Sequence, residues 1–160
     1  MDAIIDAPAT GKPTGELTLR LERRLAAPPE LVFDAWVQPA HLRRWSAPHG
    51  FEIPECDGDA RPGGSWHATM LSPDGRRLRL RGTYREVVRP KWLVFTHAWL
   101  GDDGTPGPET VVTVVFEAVE GGTLMRFTQT GFDAAPDRDG HGDGWSQCFE
   151  RLASLLADPD

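Results

Sequence analysis

The sequence is poor in cysteine and lysine and contains no asparagine. Its two cysteines, Cys56 and Cys148, stand far apart and form neither a CxxC pair nor a spacing typical of metal ligands. This argues against a structural zinc site, and we expect both thiols to be reduced and half-buried. Lysine occurs only at Lys12 and Lys91. We attribute that skew to GC-rich codon usage, which carries little information about function.

Long apolar runs are also missing. The longest stretches, Leu93–Leu100 and Val111–Phe116, are interrupted by polar residues and fall short of the ~20 residues that span a bilayer. We therefore predict no membrane span. Residues 1–16 carry Asp2 and Asp6 ahead of any basic residue, unlike the basic start and apolar run of a signal peptide. We expect a cytoplasmic protein.

Positive charge is in deficit, since the formal net charge is −7 at pH 7. This charge repels nucleic acids and anionic membrane surfaces at long range, so we expect no nucleic-acid partner. The length of 160 residues, with 39% hydrophobic and 26% charged residues, is typical of a single globular domain. We expect residues 17–157 to form that domain and residues 1–16 to be a flexible tail.

Alternation of apolar and polar residues predicts an antiparallel sheet of seven strands. Leu17, Leu19 and Leu21 define the first strand, Phe51 and Ile53 begin the second, and the turn Pro73-Asp74-Gly75 joins the third to the fourth. The predicted buried rows of the third to seventh strands are Trp66, Ala68 and Met70; Leu78, Leu80, Gly82 and Tyr84; Leu93, Phe95, His97 and Trp99; Val112, Val114 and Phe116; and Met125, Phe127 and Gln129.

Helix signals occur after the first strand and at the end of the chain. Pro28 and Pro29 open one short helix, and Pro39 ends it and begins another. The segment Asp133–Asp143 is rich in aspartate and glycine and is predicted to be a loop. A helix of roughly 14 residues is predicted from near Gly144. Its apolar stripe consists of Trp145, Cys148, Phe149, Leu152 and Leu156.

A broad bent sheet covered by one long helix predicts a cleft. The helix is about 10 Å across, so it covers only part of the concave face. The large aromatic side chains on the inner rows and helices then either line the remaining space or close it as a core. The candidate ligand-binding residues are Trp36, Trp66, Tyr84, Phe95, His97, Trp99, Phe116, Phe127, Gln129, Trp145 and Phe149, with Thr69 as a further polar candidate.

Motifs of catalytic and cofactor sites are missing. The sequence has no Walker loop, dinucleotide fingerprint, HExxH or nucleophile elbow. A general-base role for His97 would need a carboxylate such as Glu109 or Asp143 beside it. The segment Asp137–Cys148 matches a calcium loop poorly, because its glycine is misplaced and Cys148 stands where glutamate is required. We therefore predict no metal, no cofactor and a binding protein in preference to an enzyme.

Several short motifs follow one another in a characteristic order. They are Pro29-Glu30-Leu31-Val32-Phe33-Asp34-Ala35-Trp36 with Pro39 and Leu42 to Trp45, Asp59-Ala60-Arg61-Pro62-Gly63-Gly64, Ser72-Pro73-Asp74-Gly75, Gly82-Thr83-Tyr84-Arg85-Glu86-Val87, Leu93-Val94-Phe95-Thr96, Gly121-Gly122-Thr123 and Gly144-Trp145. Together they resemble the SRPBCC, or START-like, superfamily, and within it the bacterial branch named after the activator of the heat-shock-protein-90 ATPase. The resemblance runs from about Leu17 to Leu156.

The resemblance implies the helix-grip fold, an α+β arrangement. In this fold a curved seven-stranded antiparallel sheet surrounds a long C-terminal helix, with two short helices after strand one. Related proteins bind lipids, sterols or polyketides in the cleft, and some are cyclases or hydrolases. The sequence departs from common patterns at Ser46, where a second aromatic residue is frequent after Trp45.

The partner implied by the resemblance is a small hydrophobic molecule, lipid-like or aromatic, bound by a monomer or weak homodimer with a role in a stress response. An enzyme of the cyclase or hydrolase type is one alternative. The other is a module that stimulates a chaperone ATPase, although this chain matches only the second of the eukaryotic namesake's two domains. For chaperone docking the candidate residues are Arg77, Arg79, Arg81 and Arg85, on the outer face of the fourth strand.

Overall fold

The computed structural model describes residues 17–157, so the predicted tail of residues 1–16 lies outside the described residues. The described part contains a curved antiparallel sheet with the strand order β1-β7-β6-β5-β4-β3-β2. Its strands are β1 (Leu17–Leu25), β2 (Glu52–Gly58), β3 (Ser65–Leu71), β4 (Arg77–Val88), β5 (Trp92–Trp99), β6 (Thr110–Val119) and β7 (Gly122–Phe132). Its helices are α1 (Pro29–Val37), α2 (Pro39–Trp45) and α3 (Ala135–Ala157). The predicted helix-grip fold is confirmed.

The two short helices carry the chain from one edge of the sheet to the other. β1 and β2 are the two edge strands, and α1 and α2 connect them. Pro29 and Pro39 each stand in the first turn of a helix, where a missing backbone N–H costs no hydrogen bond. Asp34 of α1 accepts two hydrogen bonds from the Arg89 guanidinium, at 2.9 and 3.0 Å. This ion pair fixes α1 against the turn between β4 and β5.

The core lies between the helices and the β1-β7-β6 half of the sheet. Val32 and Phe33 of α1 are buried, and the Phe33 ring meets Phe116 of β6 edge-on, with 5.6 Å between the ring centroids. Trp45 of α2 is fully buried, and its indole N–H donates to the carbonyl oxygen of Ala35 at 2.9 Å. These contacts join both short helices into one apolar layer with the sheet.

The C-terminal helix begins earlier than predicted. α3 starts at Ala135, so the prediction of a loop over Asp133–Asp143 is wrong. Glycine has low intrinsic helix propensity, and the glycines of this segment make it read as a loop. Packing overrides that preference, because the helix lies close against β1: a Cβ atom on Gly142 would be 3.0 Å from the Leu19 side chain. The early turns of α3 therefore extend along the sheet and add to the cavity wall.

Candidate functional site

A cavity of about 450 Å³ lies between the concave face of the sheet and the three helices, partly open to solvent. Its volume is within the range of pockets that hold small organic ligands. Most of its lining is apolar and comes from β2 to β5 on one side and from α1, α2 and α3 on the other. The aromatic side chains line this space and do not fill it.

Seven of the predicted ligand-binding residues line the cavity, namely Trp36, Trp66, Tyr84, Phe95, His97, Trp99 and Trp145. For the other four, the structure corrects the expected position, because Phe116, Phe127, Gln129 and Phe149 lie in the buried core behind the wall. The physical reason is that α1 and α3 pack on β1, β6 and β7. The inward side chains of that half are covered by helix, whereas the β2-to-β5 half remains open.

Thr69 also differs from its expected position. It alternates with Trp66, Ala68 and Met70 along β3, and these three line the cavity while Thr69 does not. Since successive side chains of a strand point to opposite faces, Thr69 lies on the outer face of the sheet. Thr69 is nevertheless buried there.

Several lining residues were not among the predicted ligand-binding residues. Those from the sheet and the short helices are Val37, Pro39, Leu42, Trp45, Ser46, Pro48, Phe51, Ile53, Cys56, Asp57, Gly58, Ala68, Met70, Leu78 and Leu80. Those from α3 are Pro136, Asp137, Gly140, His141, Gly144 and Cys148. Ala68, Met70, Leu78 and Leu80 already stand on the predicted inner rows, so taking every member of those rows as a candidate would have found them. The early residues of α3 were missed because their segment was predicted to be a loop.

Trp66 reaches the cavity wall because β4 has glycine opposite it. The Trp66 indole N–H donates to the backbone carbonyl oxygen of Thr96 on β5, at 3.2 Å. A Cβ atom on Gly82 would lie 2.4 Å from that indole nitrogen and 1.8 Å from the Thr96 oxygen. Any larger residue at this position would displace the indole or separate the strands. Gly82 thus permits the placement of a main aromatic wall residue.

His97 lies in the middle strand of the sheet and is a buried titratable residue of the cavity wall. Its side chain is 5% exposed, and its ring is 5.9, 5.6 and 6.2 Å from the rings of Trp66, Trp99 and Trp145. Burial lowers the pKa of His97 to about 3, with a smaller contribution from His141. The imidazole is therefore neutral at physiological pH.

Gln129 acts from behind the wall. Its side chain is fully buried, and its carbonyl oxygen accepts the indole N–H of Trp145 at 2.9 Å. Its amide nitrogen donates to the Thr110 hydroxyl at 2.8 Å, and that hydroxyl donates to the backbone oxygen of His97 at 3.2 Å. This chain of hydrogen bonds fixes the orientation of the Trp145 ring relative to β5.

A second link joins α3 to β5 at the same end of the cavity. The indole N–H of Trp99 donates to Nε2 of His141 at 3.0 Å. Nε2 is therefore unprotonated, and the proton on Nδ1 is donated to the carbonyl oxygen of Asp137 at 2.7 Å. Both nitrogens of His141 are engaged within the protein, so this histidine has a structural role in the wall.

The thiols and the phenol of the cavity stay protonated near neutral pH. Burial raises the pKa of Cys148 to about 12 and that of Tyr84 to about 12, and it also raises the pKa of Cys56. Both cysteines are free and buried, which is deeper than the half-burial expected. A protonated thiol is a weak nucleophile. These side chains contribute apolar surface to the wall.

The acid–base arrangement considered for His97 is not formed. Glu109 is exposed and lies 3.9 Å from Arg85, outside the cavity, and Asp143 accepts a hydrogen bond from Gln147 at 3.3 Å. Within residues 17–157 no group of three His, Cys, Asp or Glu side chains is placed to hold a metal ion. Across the same residues, none of the helices is long and apolar enough to cross a membrane.

The arginine row of β4 lies on the outer face of the sheet, away from the cavity. Arg77, Arg79, Arg81 and Arg85 are all exposed. Arg79 donates a long hydrogen bond of 3.4 Å to the carbonyl oxygen of Gly101, and the Arg85–Glu109 pair is wide. Exposed pairs of this kind contribute little to stability. Docking of an acidic chaperone surface on this row stays a prediction.

A curved antiparallel sheet that holds one long helix over an apolar cavity defines a domain of the ligand-binding-cleft type. The sequence family described as "Activator of Hsp90 ATPase homolog 1-like protein" matches residues 26–157. The chain belongs to this family. No curated protein matches the sequence.

Solved structures similar to this chain include three from bacteria. The AHSA1 protein from Silicibacter pomeroyi is 29% identical with a TM-score of 0.84, over 90% of this chain and 100% of that one. A protein from Chromobacterium violaceum is 31% identical with a TM-score of 0.77, over 87% and 96%. A protein from Nitrosomonas europaea is 27% identical with a TM-score of 0.78, over 89% and 96%. These matches extend over nearly the whole length of each chain and share the same fold.

Proposed function

We propose that this protein binds a small hydrophobic molecule, lipid-like or aromatic, in the cavity between the sheet and α3, without transforming it. The observation that carries the proposal is the partly open, largely apolar space of about 450 Å³. Covering apolar surface with a ligand removes it from water and contributes about 25 cal/mol per Å². A few polar groups on the wall then orient the bound molecule.

The chemistry of the wall favours binding over catalysis. Within residues 17–157, His97 has no carboxylate partner, and Glu109 lies beside Arg85 outside the cavity. Burial raises the pKa of Cys148 and Tyr84 to about 12, so neither side chain offers an anionic nucleophile at neutral pH. An enzyme that uses His97 with Tyr84 is therefore the weaker candidate.

Tryptophan fluorescence gives a direct test, because five of the six tryptophans line the cavity: Trp36, Trp45, Trp66, Trp99 and Trp145. Titration with a library of lipophilic compounds is expected to give saturable quenching by at least one of them. Ala68→Phe fills the cavity from β3, and His67→Phe adds the same ring on the exposed outer face of that strand.

The two variants separate cavity binding from surface binding. We expect Ala68→Phe to lower the affinity for each compound that binds the wild-type protein at least about tenfold. A loss of this size follows when about 1–2 kcal/mol of packing between ligand and protein is removed. His67→Phe is expected to retain the affinity of the wild-type protein. Equal affinities in the two variants, or no saturable ligand for the wild-type protein, would contradict the proposal.

A further inference from the structure

The imidazole of His97 is a buried polar group that faces the cavity without a partner from another side chain. It is 5% exposed and lines the cavity directly. Among the described residues, no other side chain hydrogen-bonds to its ring, which interacts with the backbone of His97 itself, and the bond from Thr110 goes to the backbone oxygen of His97. A neutral imidazole on the wall of a largely apolar cavity is one of the few polar groups that can orient a bound molecule.

The polar groups beside His97 are already engaged elsewhere. The indole N–H of Trp145 donates to Gln129, and that of Trp99 donates to His141. Neither indole competes for a polar atom of the ligand. The imidazole is thus the group at this end of the cavity that is available for directional recognition.

The described part of the cavity wall carries no fixed positive charge. Among the described residues that line it there is no arginine or lysine, and the titratable residues facing the space with His97 are Cys56, Asp57, Tyr84, Asp137, His141 and Cys148. The two carboxylates are exposed at the rim. Burial holds His97 neutral, with a pKa of about 3. A ligand carboxylate would therefore enter without a countercharge, which is costly.

Three tryptophan rings lie close to the imidazole. The centroids of the Trp66, Trp99 and Trp145 rings all lie within 6.2 Å of the His97 ring. An aromatic ligand placed against them gains offset-stacked or edge-on contacts beyond simple burial. A flexible aliphatic chain gains less from such flat walls.

We propose that the ligand is an uncharged aromatic molecule carrying a hydroxyl group, which hydrogen-bonds to the imidazole of His97. This inference rests on the proposed function and narrows it, since it selects phenols and aromatic alcohols over fatty acids and other carboxylates. A neutral imidazole offers one N–H donor and one nitrogen acceptor, and a hydroxyl group can pair with either.

Three probes of one ring system test the inference: 2-naphthol, naphthalene and 2-naphthoate, measured by equilibrium dialysis at neutral pH. The wild-type protein is expected to bind 2-naphthol at least about tenfold more tightly than 2-naphthoate. Burying the unpaired carboxylate of 2-naphthoate should lower its affinity by at least this factor. His97→Phe keeps a ring but removes both nitrogens. We expect this variant to lower the affinity for 2-naphthol relative to naphthalene by about fivefold, because one net hydrogen bond contributes about that factor.

Two further variants keep the result interpretable. His97→Gln retains hydrogen bonding and is expected to preserve much of the preference for 2-naphthol over naphthalene. Phe95 lies two residues from His97 on the same face of β5. Phe95→Leu is expected to lower the affinity for all three probes by a similar factor. Circular dichroism confirms that each variant is folded before its affinity is compared.

The failures of the inference and of the proposed function are distinguishable. The inference is wrong if 2-naphthoate binds as well as 2-naphthol, or if His97→Phe leaves the ratio of the 2-naphthol and naphthalene affinities unchanged. In either case, binding of naphthalene still supports an apolar binding site. If none of the three probes binds, the inference is also wrong. The proposed function is contradicted only if no compound of the lipophilic library binds to the wild-type protein and loses that binding in Ala68→Phe.

Discussion

His97 couples the stability of the protein to pH. Its pKa is about 3 in the folded protein, against an ordinary value of 6.5, because burial disfavours the charged ring. Between these two pH values the unfolded chain binds a proton that the folded protein does not. The stabilisation that comes from keeping His97 neutral is therefore complete above about pH 6.5. As the pH falls from there towards 3, the free energy of unfolding decreases by about 1.4 kcal/mol per pH unit.

We predict that His97→Gln flattens this dependence. When the pH is lowered from neutral to about 5, the free energy of unfolding of the wild-type protein should fall by about 2 kcal/mol more than that of the variant. Urea unfolding measures this difference. His67→Gln is the matched control, because His67 lies on the outer face of β3 with a side chain that is 55% exposed. Parallel pH profiles for the wild-type protein and His97→Gln would show that His97 titrates normally.

Two neighbouring polar residues of β7 should respond to substitution in opposite ways. Gln129→Leu removes the acceptor of the Trp145 indole N–H and the donor to Thr110, so it should destabilise the protein by about 1–3 kcal/mol. The hydroxyl of Thr130 is buried and has no hydrogen-bond partner among the described residues. Thr130→Val keeps the side-chain shape and should be neutral or stabilising. Chemical denaturation distinguishes the two, and a similar loss in both variants would contradict this reading of Gln129.

At the scale of elements, α3 shows how tertiary packing overrides a local preference. The segment Asp133–Asp143 reads as a loop in the sequence, yet helix begins at Ala135. Its first turns are tied to β5 through the Trp99–His141 hydrogen bond and lie against Leu19 of β1. The strands were easier to predict, because β4 alternates apolar residues with arginine and only one of its faces can be buried.

Glycine substitutions in α3 test the early start of the helix. A Cβ atom on Gly140 would meet no atom of the described residues within 4 Å, so Gly140→Ala should stabilise the protein by about 1 kcal/mol through helix propensity. Gly142→Ala should gain less, because its Cβ atom would lie 3.0 Å from Leu19. Thermal unfolding measures both. If Gly140→Ala brings no gain, residues 135–143 do not behave as helix.

At the scale of the whole molecule, the distribution of helices over the sheet decides where a ligand fits. α1 and α3 cover β1, β6 and β7, and the β2-to-β5 half keeps its inner face open. The sequence identifies which side chains point inward, because alternation within a strand is a local property. Whether an inward aromatic residue becomes core or cavity wall depends on which half the helices cover. For that reason Phe127 and Trp66 look alike in the sequence and differ in the structure.

Native mass spectrometry of the purified protein tests the central claim, that the cavity is a binding site for a small hydrophobic molecule. We predict an additional mass on the wild-type protein after incubation with a lipophilic hit, or directly after mild purification. The same mass should be present on His67→Phe and absent from Ala68→Phe. An adduct that survives unchanged in Ala68→Phe, or no adduct on the wild-type protein with any lipophilic compound, would contradict the claim.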